Sequence, residues 1–358
     1  MQQKKINSIQ GLRCFAALIV CAMHIISAKP GSDHWIRIAQ YAVNSIGKYG
    51  VDLFFTISGF IITWIVMKEV SLPSIKRAFS FLIKRLFRVY PLYWVTLGFM
   101  ILLSIMMNGG HIAQDVQQAL HWPVIFLAIF SIPLQSAAWT LGFELYFYGV
   151  VFLFMCLFPK KYFLPFFTLW ALAHFLTILA ITHGMLFRYC FLLMHNRILE
   201  FFFGLFAGYL LHFFYQYYRW DKYISIALGA ILLSIGVWTS YTRIPNVDLV
   251  RWEVIYYYAF PSALFIYGLV GLEMRGELST PKLFKALGDV SYSIYLWHFP
   301  IIQAAGYLSI YCLFYQHLHP LVQALFEISM VILISFASYR WIEKPFIEWS
   351  HKLAGYIK

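Results

Sequence analysis

Runs of about 20 predominantly apolar residues recur along the whole chain, and no other feature restricts its fold so strongly. A helix rises about 1.5 Å per residue, so each run can cross the roughly 30 Å hydrocarbon core of a bilayer. Inside that core every backbone N–H and C=O must be paired internally, which leaves helices and closed barrels as the spanning forms. A barrel would show short segments of alternating polarity, and these runs are continuous. The chain therefore reads as an all-α polytopic membrane protein. Ten spans fit, at roughly 9–28, 47–67, 88–107, 138–158, 162–181, 197–216, 222–240, 253–272, 288–312 and 320–341. Composition agrees, because only 12% of the residues are charged, against about 25% in a soluble domain.

The formal charge of +12 would suit a nucleic-acid binder, but its distribution points to a membrane instead. With the N-terminus inside, 19 of the 27 Lys and Arg fall on the cytoplasmic side of these spans and seven fall outside. Lys and Arg accumulate in cytoplasmic loops, so the asymmetry predicts both termini in the cytoplasm. The first apolar run lacks a small-residue cleavage site and reads as a retained span. HWPVIFLAIFSIPLQ (121–135) is short and holds Pro123 and Pro133, which reads as a re-entrant or interfacial segment. The cysteines, Cys14, Cys21, Cys156, Cys190 and Cys312, have no metal or redox spacing and read as small core hydrophobes. No internal repeat or soluble segment appears, so residues 1–358 are expected to form a single membrane domain.

Against this background the first span is unusual, because IQGLRCFAALIVCAMHII carries Arg13 and His24. An ionisable side chain in hydrocarbon is costly and is a functional hypothesis by default. The two are 11 residues apart, within about 20° of three helical turns, so both face the same way about 16 Å apart. Ala17 and Val20 lie between them and are small enough to leave a groove. Spans two and four place Asp52 and Glu144 near the outer level of His24, with Ser58 near the middle of span two. Lys84, Arg85 and Arg88 lie near the level of Arg13, and span nine adds Asp289 and His298.

A basic inner mouth suits a phosphate-bearing ligand. An imidazole beside a carboxylate suits removal of a proton from a hydroxyl. Together they predict group transfer from an anionic cytosolic donor to an external acceptor. The alternative is a transporter or flippase that moves an anionic or lipid-linked substrate without chemistry. Its polar groups would line a path, and its fold would often show repeats.

The stretches IQGLRCFAALIVCAMH, GVDLFFTISGFIIT, FLIKRLFRVYPLYW, AAWTLGFELYFY, LGDVSYSIYLWHFPI and YRWIEKPF occur in this order over residues 9–346. They resemble the acyltransferase-3 family of bacterial integral-membrane acyltransferases that decorate cell-surface carbohydrate. The resemblance implies ten core spans in the bacterial inner membrane and an acyl-CoA donor, usually acetyl-CoA, with no metal. It implies an acceptor hydroxyl on a surface polysaccharide or lipid-linked oligosaccharide, O-antigen or exopolysaccharide, reached from the periplasmic side. Carried onto this chain, Arg13 and His24 are the R-x10-H pair, with His24 the expected catalytic histidine. Arg85 and Arg88 match the paired-arginine element at the CoA end, Ser58 lies in the SGF element, and Glu144 is the acid of W-x4-E after Trp139. Trp139, together with Tyr295 and His298 of the span-nine motif, is expected to contact or support substrate. AAWTLGFE departs from the commoner SLWSLxVE wording but keeps the acid. On this reading Arg13, Arg85 and Arg88 hold the CoA phosphates. His24 acts as general base with Asp52 or Glu144 orienting it, or forms a transient acyl-His24.

Overall fold

The computed structural model describes residues 6–31, 33–69, 72–108, 110–111, 116–117, 120–127, 135–181, 197–217, 220–242 and 252–357. The regular elements among them are helical: α1 (Asn7–Ser27), α2 (His34–Gly47), α3 (Tyr49–Glu69), α4 (Ile75–Met107) and the short α5 (Trp122–Ile125). They continue with α6 (Trp139–Leu157), α7 (Phe163–Ile181), α8 (Ile198–Phe214), α9 (Trp220–Thr242) and α10 (Trp252–Met274). The chain ends with α11 (Lys282–Asp289), α12 (Ser291–Tyr311), the short α13 (Leu313–Gln316), α14 (Pro320–Ser338) and α15 (Lys344–Ile357). A π-helical turn, Ile255–Ala259, lies within α10, and another, Tyr339–Glu343, joins α14 to α15.

Among the described residues, eight helices are long and apolar enough to cross a membrane, which makes this an all-α polytopic membrane protein. Of the other two expected spans, α8 is apolar but 17 residues long. The 21 residues of α12 are interrupted by Ser291, Ser293, His298 and Gln303. Two boundaries differ from the sequence expectation. Helix α4 starts at Ile75 rather than near 88, so its 33 residues rise about 50 Å. Hydropathy marks only the part suited to hydrocarbon, whereas the basic IKRAFSFLIKRLFR keeps the helical period ahead of it. Helix α2 lies in what reads as an external loop, started by Asp33, whose Oδ1 accepts from the Trp35 and Ile36 N–H groups at 2.6 and 3.2 Å.

The chain divides into two compact units. The first comprises Met1–Ala16, Lys48–Ala78 and Gly149–Asp289. Within it α3 and α8 meet backbone to backbone. A Cβ on Gly59 would lie 2.0 Å from the Phe201 carbonyl oxygen, and one on Gly204 would lie 1.8 Å from that of Thr56. Only glycine at both positions allows that approach. Thr63 Oγ1 strengthens the contact by donating to the Leu205 carbonyl at 3.0 Å. At the start of α1 the N–H groups of Asn7 and Ser8 donate to the two carboxylate oxygens of Glu273 at 2.8 and 2.6 Å. These donors have no partner inside their own helix, and the negative charge matches the positive end of the helix dipole.

The second unit comprises Ala17–Gly47, Phe79–Tyr148 and Val290–Lys358. Its α12 contains Pro300, which has no N–H to give to the Leu296 carbonyl one turn earlier. Gln135 supplies the missing donor from Nε2, while its Oε1 accepts from Thr96 Oγ1 at 3.1 Å. The end of α5 is completed in the same way from α4. Tyr93 Oη, Trp94 Nε1 and Tyr90 Oη donate to the carbonyls of Val124, Ile125 and Phe126 at 2.6, 2.9 and 2.9 Å. Leu127 follows with a left-handed φ of 51°. The rest of the segment expected to be re-entrant, 128–134, lies outside the described residues, as do Arg188, Cys190, Arg243 and Arg251.

Candidate active site

His24 stands in the last turn of α1. Its Nδ1 lies 3.0 Å from the carbonyl oxygen of Val20 on the preceding turn. A carbonyl can only accept, so Nδ1 carries the hydrogen and the lone pair of the neutral ring sits on Nε2. The orienting acceptor sought in Asp52 or Glu144 is thus supplied at this nitrogen by the helix's own backbone. His24 is half-buried, and its ring stacks on His298, centroids 5.0 Å apart and planes 25° apart. Phe299 closes against both imidazoles at 4.8 and 4.6 Å.

His298 is fully buried, and neither ring nitrogen has a hydrogen-bond partner. The carbonyls of Ile294 and Tyr295 on the preceding turn face the ring without hydrogen-bond geometry. Its helix is held around it by polar contacts that the motifs foretell only in part. Tyr295 Oη lies 3.0 Å from Thr140 Oγ1 and donates to the Ala137 carbonyl at 3.1 Å. Gln135 holds the carbonyl of Leu296, two residues before His298. Trp139, the first residue of α6, is half-buried and packs edge-on against Phe143 at 5.6 Å.

A second cluster in the same unit gathers around Arg85. Its guanidinium lies over the rings of Phe81 and Tyr148, 5.4 and 5.6 Å from their centroids. Tyr148 donates to Glu144 Oε2 at 2.9 Å, and the charges of Glu144, Arg85 and Arg88 all act on the Tyr148 hydroxyl. Arg88 and Glu144 also act on Tyr292, which donates to the Val89 carbonyl at 2.7 Å. The next residue, Ser293, donates to Glu343 in the π-helical turn of YRWIEKPF. Glu144, expected at the outer level with His24, therefore belongs electrostatically with the arginine pair.

The first unit holds the remaining residues. Arg13 is buried, and Ser58 is half-buried beside Gly59. Asp52 is fully buried, and its Oδ1 accepts from Arg197 Nη1 at 2.9 Å. The carboxyl of Glu200, one turn further along α8, lies against that of Asp52. The structure thus brings His24 together with His298, and Arg85 and Arg88 together with Glu144, while Asp52 sits in a cluster with Arg197 and Glu200. Gln135, Thr140, Tyr148, Arg197 and Glu200 are absent from the sequence reading of the site. Pro300 was a usable signal for one of them, since a proline inside a span obliges some side chain to serve the freed carbonyl.

The sequence profile described as "Acyltransferase domain" matches residues 6–340, and the chain belongs to this acyltransferase-3 family. Acyl transfer is therefore its class of chemistry. Among curated relatives, the "Exopolysaccharide production protein ExoZ" of Rhizobium meliloti (strain 1021) is 28% identical over 71% of this chain and 76% of that protein. A Staphylococcus aureus (strain COL) protein named "Putative O-acetyltransferase" is 24% identical over 96% of this chain. The match spans 58% of that longer relative. "Acyltransferase MdmB" of Streptomyces mycarofaciens is 33% identical over 26% of this chain and 22% of that protein. No solved structure matches.

Proposed function

We propose that this chain is a membrane O-acetyltransferase of the bacterial inner membrane. It takes an acetyl group from cytoplasmic acetyl-CoA and delivers it to a hydroxyl of a surface or lipid-linked polysaccharide, an O-antigen or exopolysaccharide. Ten spans, a single membrane domain and cytoplasmic termini belong to the same reading. The observation that carries it is the Nδ1–H of His24 fixed on the Val20 carbonyl, which turns the basic Nε2 outward from its own helix turn. The names of the relatives, one in exopolysaccharide production and one an O-acetyltransferase, favour this donor and acceptor.

His24 Nε2 takes the proton of the acceptor hydroxyl as its oxygen attacks the thioester carbonyl carbon. The C–O bond forms, the C–S bond breaks, and the departing thiolate recovers the proton from the imidazolium. Arg85 and Arg88 supply positive charge for the phosphates of the donor, the Arg85 guanidinium lying over the Phe81 and Tyr148 rings. Arg13 and Ser58, in the first unit, are assigned to the donor by their sequence motifs alone. Trp139 and Tyr295 support the acceptor side.

The test uses membranes from a deletion host complemented with wild-type protein or His24→Ala at equal amounts. Acetyl-dependent mass on the surface glycans and thiol release from acetyl-CoA should both vanish in the variant. Wild-type levels of either in His24→Ala would remove His24 from the chemistry.

A further inference from the structure

Leaving a buried polar group unpaired is destabilising, and His298 leaves two nitrogens unpaired at zero exposure. Ser291 Oγ, Trp297 Nε1 and Gln303 Oε1 on the same helix are unpaired too, while three other groups near the stacked rings find partners. Gln135 serves the carbonyl freed by Pro300, Thr140 serves Tyr295, and the Val20 carbonyl serves His24. Of the two stacked imidazoles, centroids 5.0 Å apart, His298 is the one with neither nitrogen paired. An unpaired donor held rigidly beside a base is what a reaction that develops negative charge needs, because it pairs fully only when that charge appears.

We infer that His298 is a second catalytic residue, whose ring N–H binds the carbonyl oxygen of the acyl thioester as that oxygen turns into an oxyanion. The inference rests on the proposed acyl transfer at His24 and assigns the electrophile's site within it. His24 accepts the hydroxyl proton, the acceptor oxygen bonds to the carbonyl carbon, and the carbonyl π electrons move onto oxygen. There they receive the hydrogen bond from His298. Collapse of the tetrahedral species re-forms the C=O, breaks the C–S bond and releases the thiolate, which takes the proton held by His24. His298 donates a hydrogen bond throughout and neither gains nor loses a proton. The ring of Phe299 packs against both imidazoles.

The experiment compares His298→Phe, His298→Gln and His24→Ala in membranes of the complemented deletion host. Thiol release is followed as acetyl-CoA is varied, and the thermal unfolding of each purified protein is measured. Phe has a similar flat shape and removes the orphaned nitrogens, so its Tm should stay level or rise. Its kcat should fall about 100-fold, the scale of one lost oxyanion donor, with KM for acetyl-CoA within about threefold. Gln retains an N–H and should recover about tenfold of that loss. A merely structural histidine would give the opposite pattern, a lowered Tm with kcat per folded molecule kept. The inference is overturned if His298→Phe keeps kcat within threefold, or if His298→Gln is no better than Phe. An active His24→Ala instead overturns the underlying reading of His24, so the two failures are separable.

Discussion

Gln135 donates to the carbonyl of Leu296, the acceptor that Pro300 strands inside α12. The contact ties the segment leading into α6 to the stretch of helix that carries His298. Replacing Gln135 by Leu should leave that carbonyl unpaired and cost about 1–3 kcal/mol. Pro300→Ala restores a backbone donor to the same carbonyl, so the double variant should lose much less than the sum of the singles. Denaturation of the four proteins of this cycle checks it, and strict additivity would show that Gln135 does not serve the proline's orphan.

The ion pair of Asp52 with Arg197 is buried, at zero and 16% side-chain exposure. Removing one partner strands the other's charge, so Asp52→Ala or Arg197→Met should destabilise the protein by about 3–5 kcal/mol. Replacing both by apolar residues should cost less than either single change. Detergent-solubilised unfolding curves read the difference directly.

Arg85 should act on donor affinity rather than on the chemical step. Arg85→Gln should raise the apparent KM for acetyl-CoA about tenfold, equivalent to about 1.4 kcal/mol, and leave kcat within twofold. Tyr148→Phe keeps the ring under the guanidinium but removes the hydrogen bond to Glu144, so it should act more weakly. Steady-state kinetics in membranes separates the two, and an unchanged KM in Arg85→Gln would move the donor phosphates elsewhere.

Asp33 offers a pH test outside the spans. The N–H of Trp35 holds its carboxyl below the ordinary carboxylate value, with help from the Ile36 N–H and from His319, whose Nε2 lies 3.4 Å away. A depressed folded value means the contribution is complete above the unfolded value, about 3.9. It is lost as pH falls through the folded value. Wild type should therefore outlast Asp33→Asn in thermal unfolding at pH 6, and the gap should close below about pH 4. A gap independent of pH would assign the effect to capping geometry alone.

How far the sequence was legible follows the range of the interactions. Apolar runs placed the spanning helices to within a few residues, because length and polarity decide whether a segment suits hydrocarbon. The first turns of α4 and the whole of α2 were missed, since amphipathic helices beside a membrane look like polar connections in a hydropathy profile. At the site, R-x10-H pointed to His24, and the span-nine motif to His298. Their stacking was not readable, since no periodicity relates residues 274 positions apart. Glu144 was assigned by depth along its own helix, whereas the Tyr148 and Arg85 side chains that surround it come from its next turn and from α4. Asp52 could be recognised as needing a cation, but choosing Arg197 among several required the close approach of α3 and α8 that Gly59 and Gly204 permit.

The Val20–His24 hydrogen bond has a consequence for how such a histidine can be inherited. Its acceptor is a peptide carbonyl, present whatever side chain occupies position 20. Substitution at that position alters the width of the helix face and leaves the proton on Nδ1 where it was. The tautomer is therefore protected against point mutation for as long as the turn stays helical. Comparison of related sequences in search of a covarying acid for His24 would return nothing at this nitrogen, because its partner is written in the backbone and not in any letter.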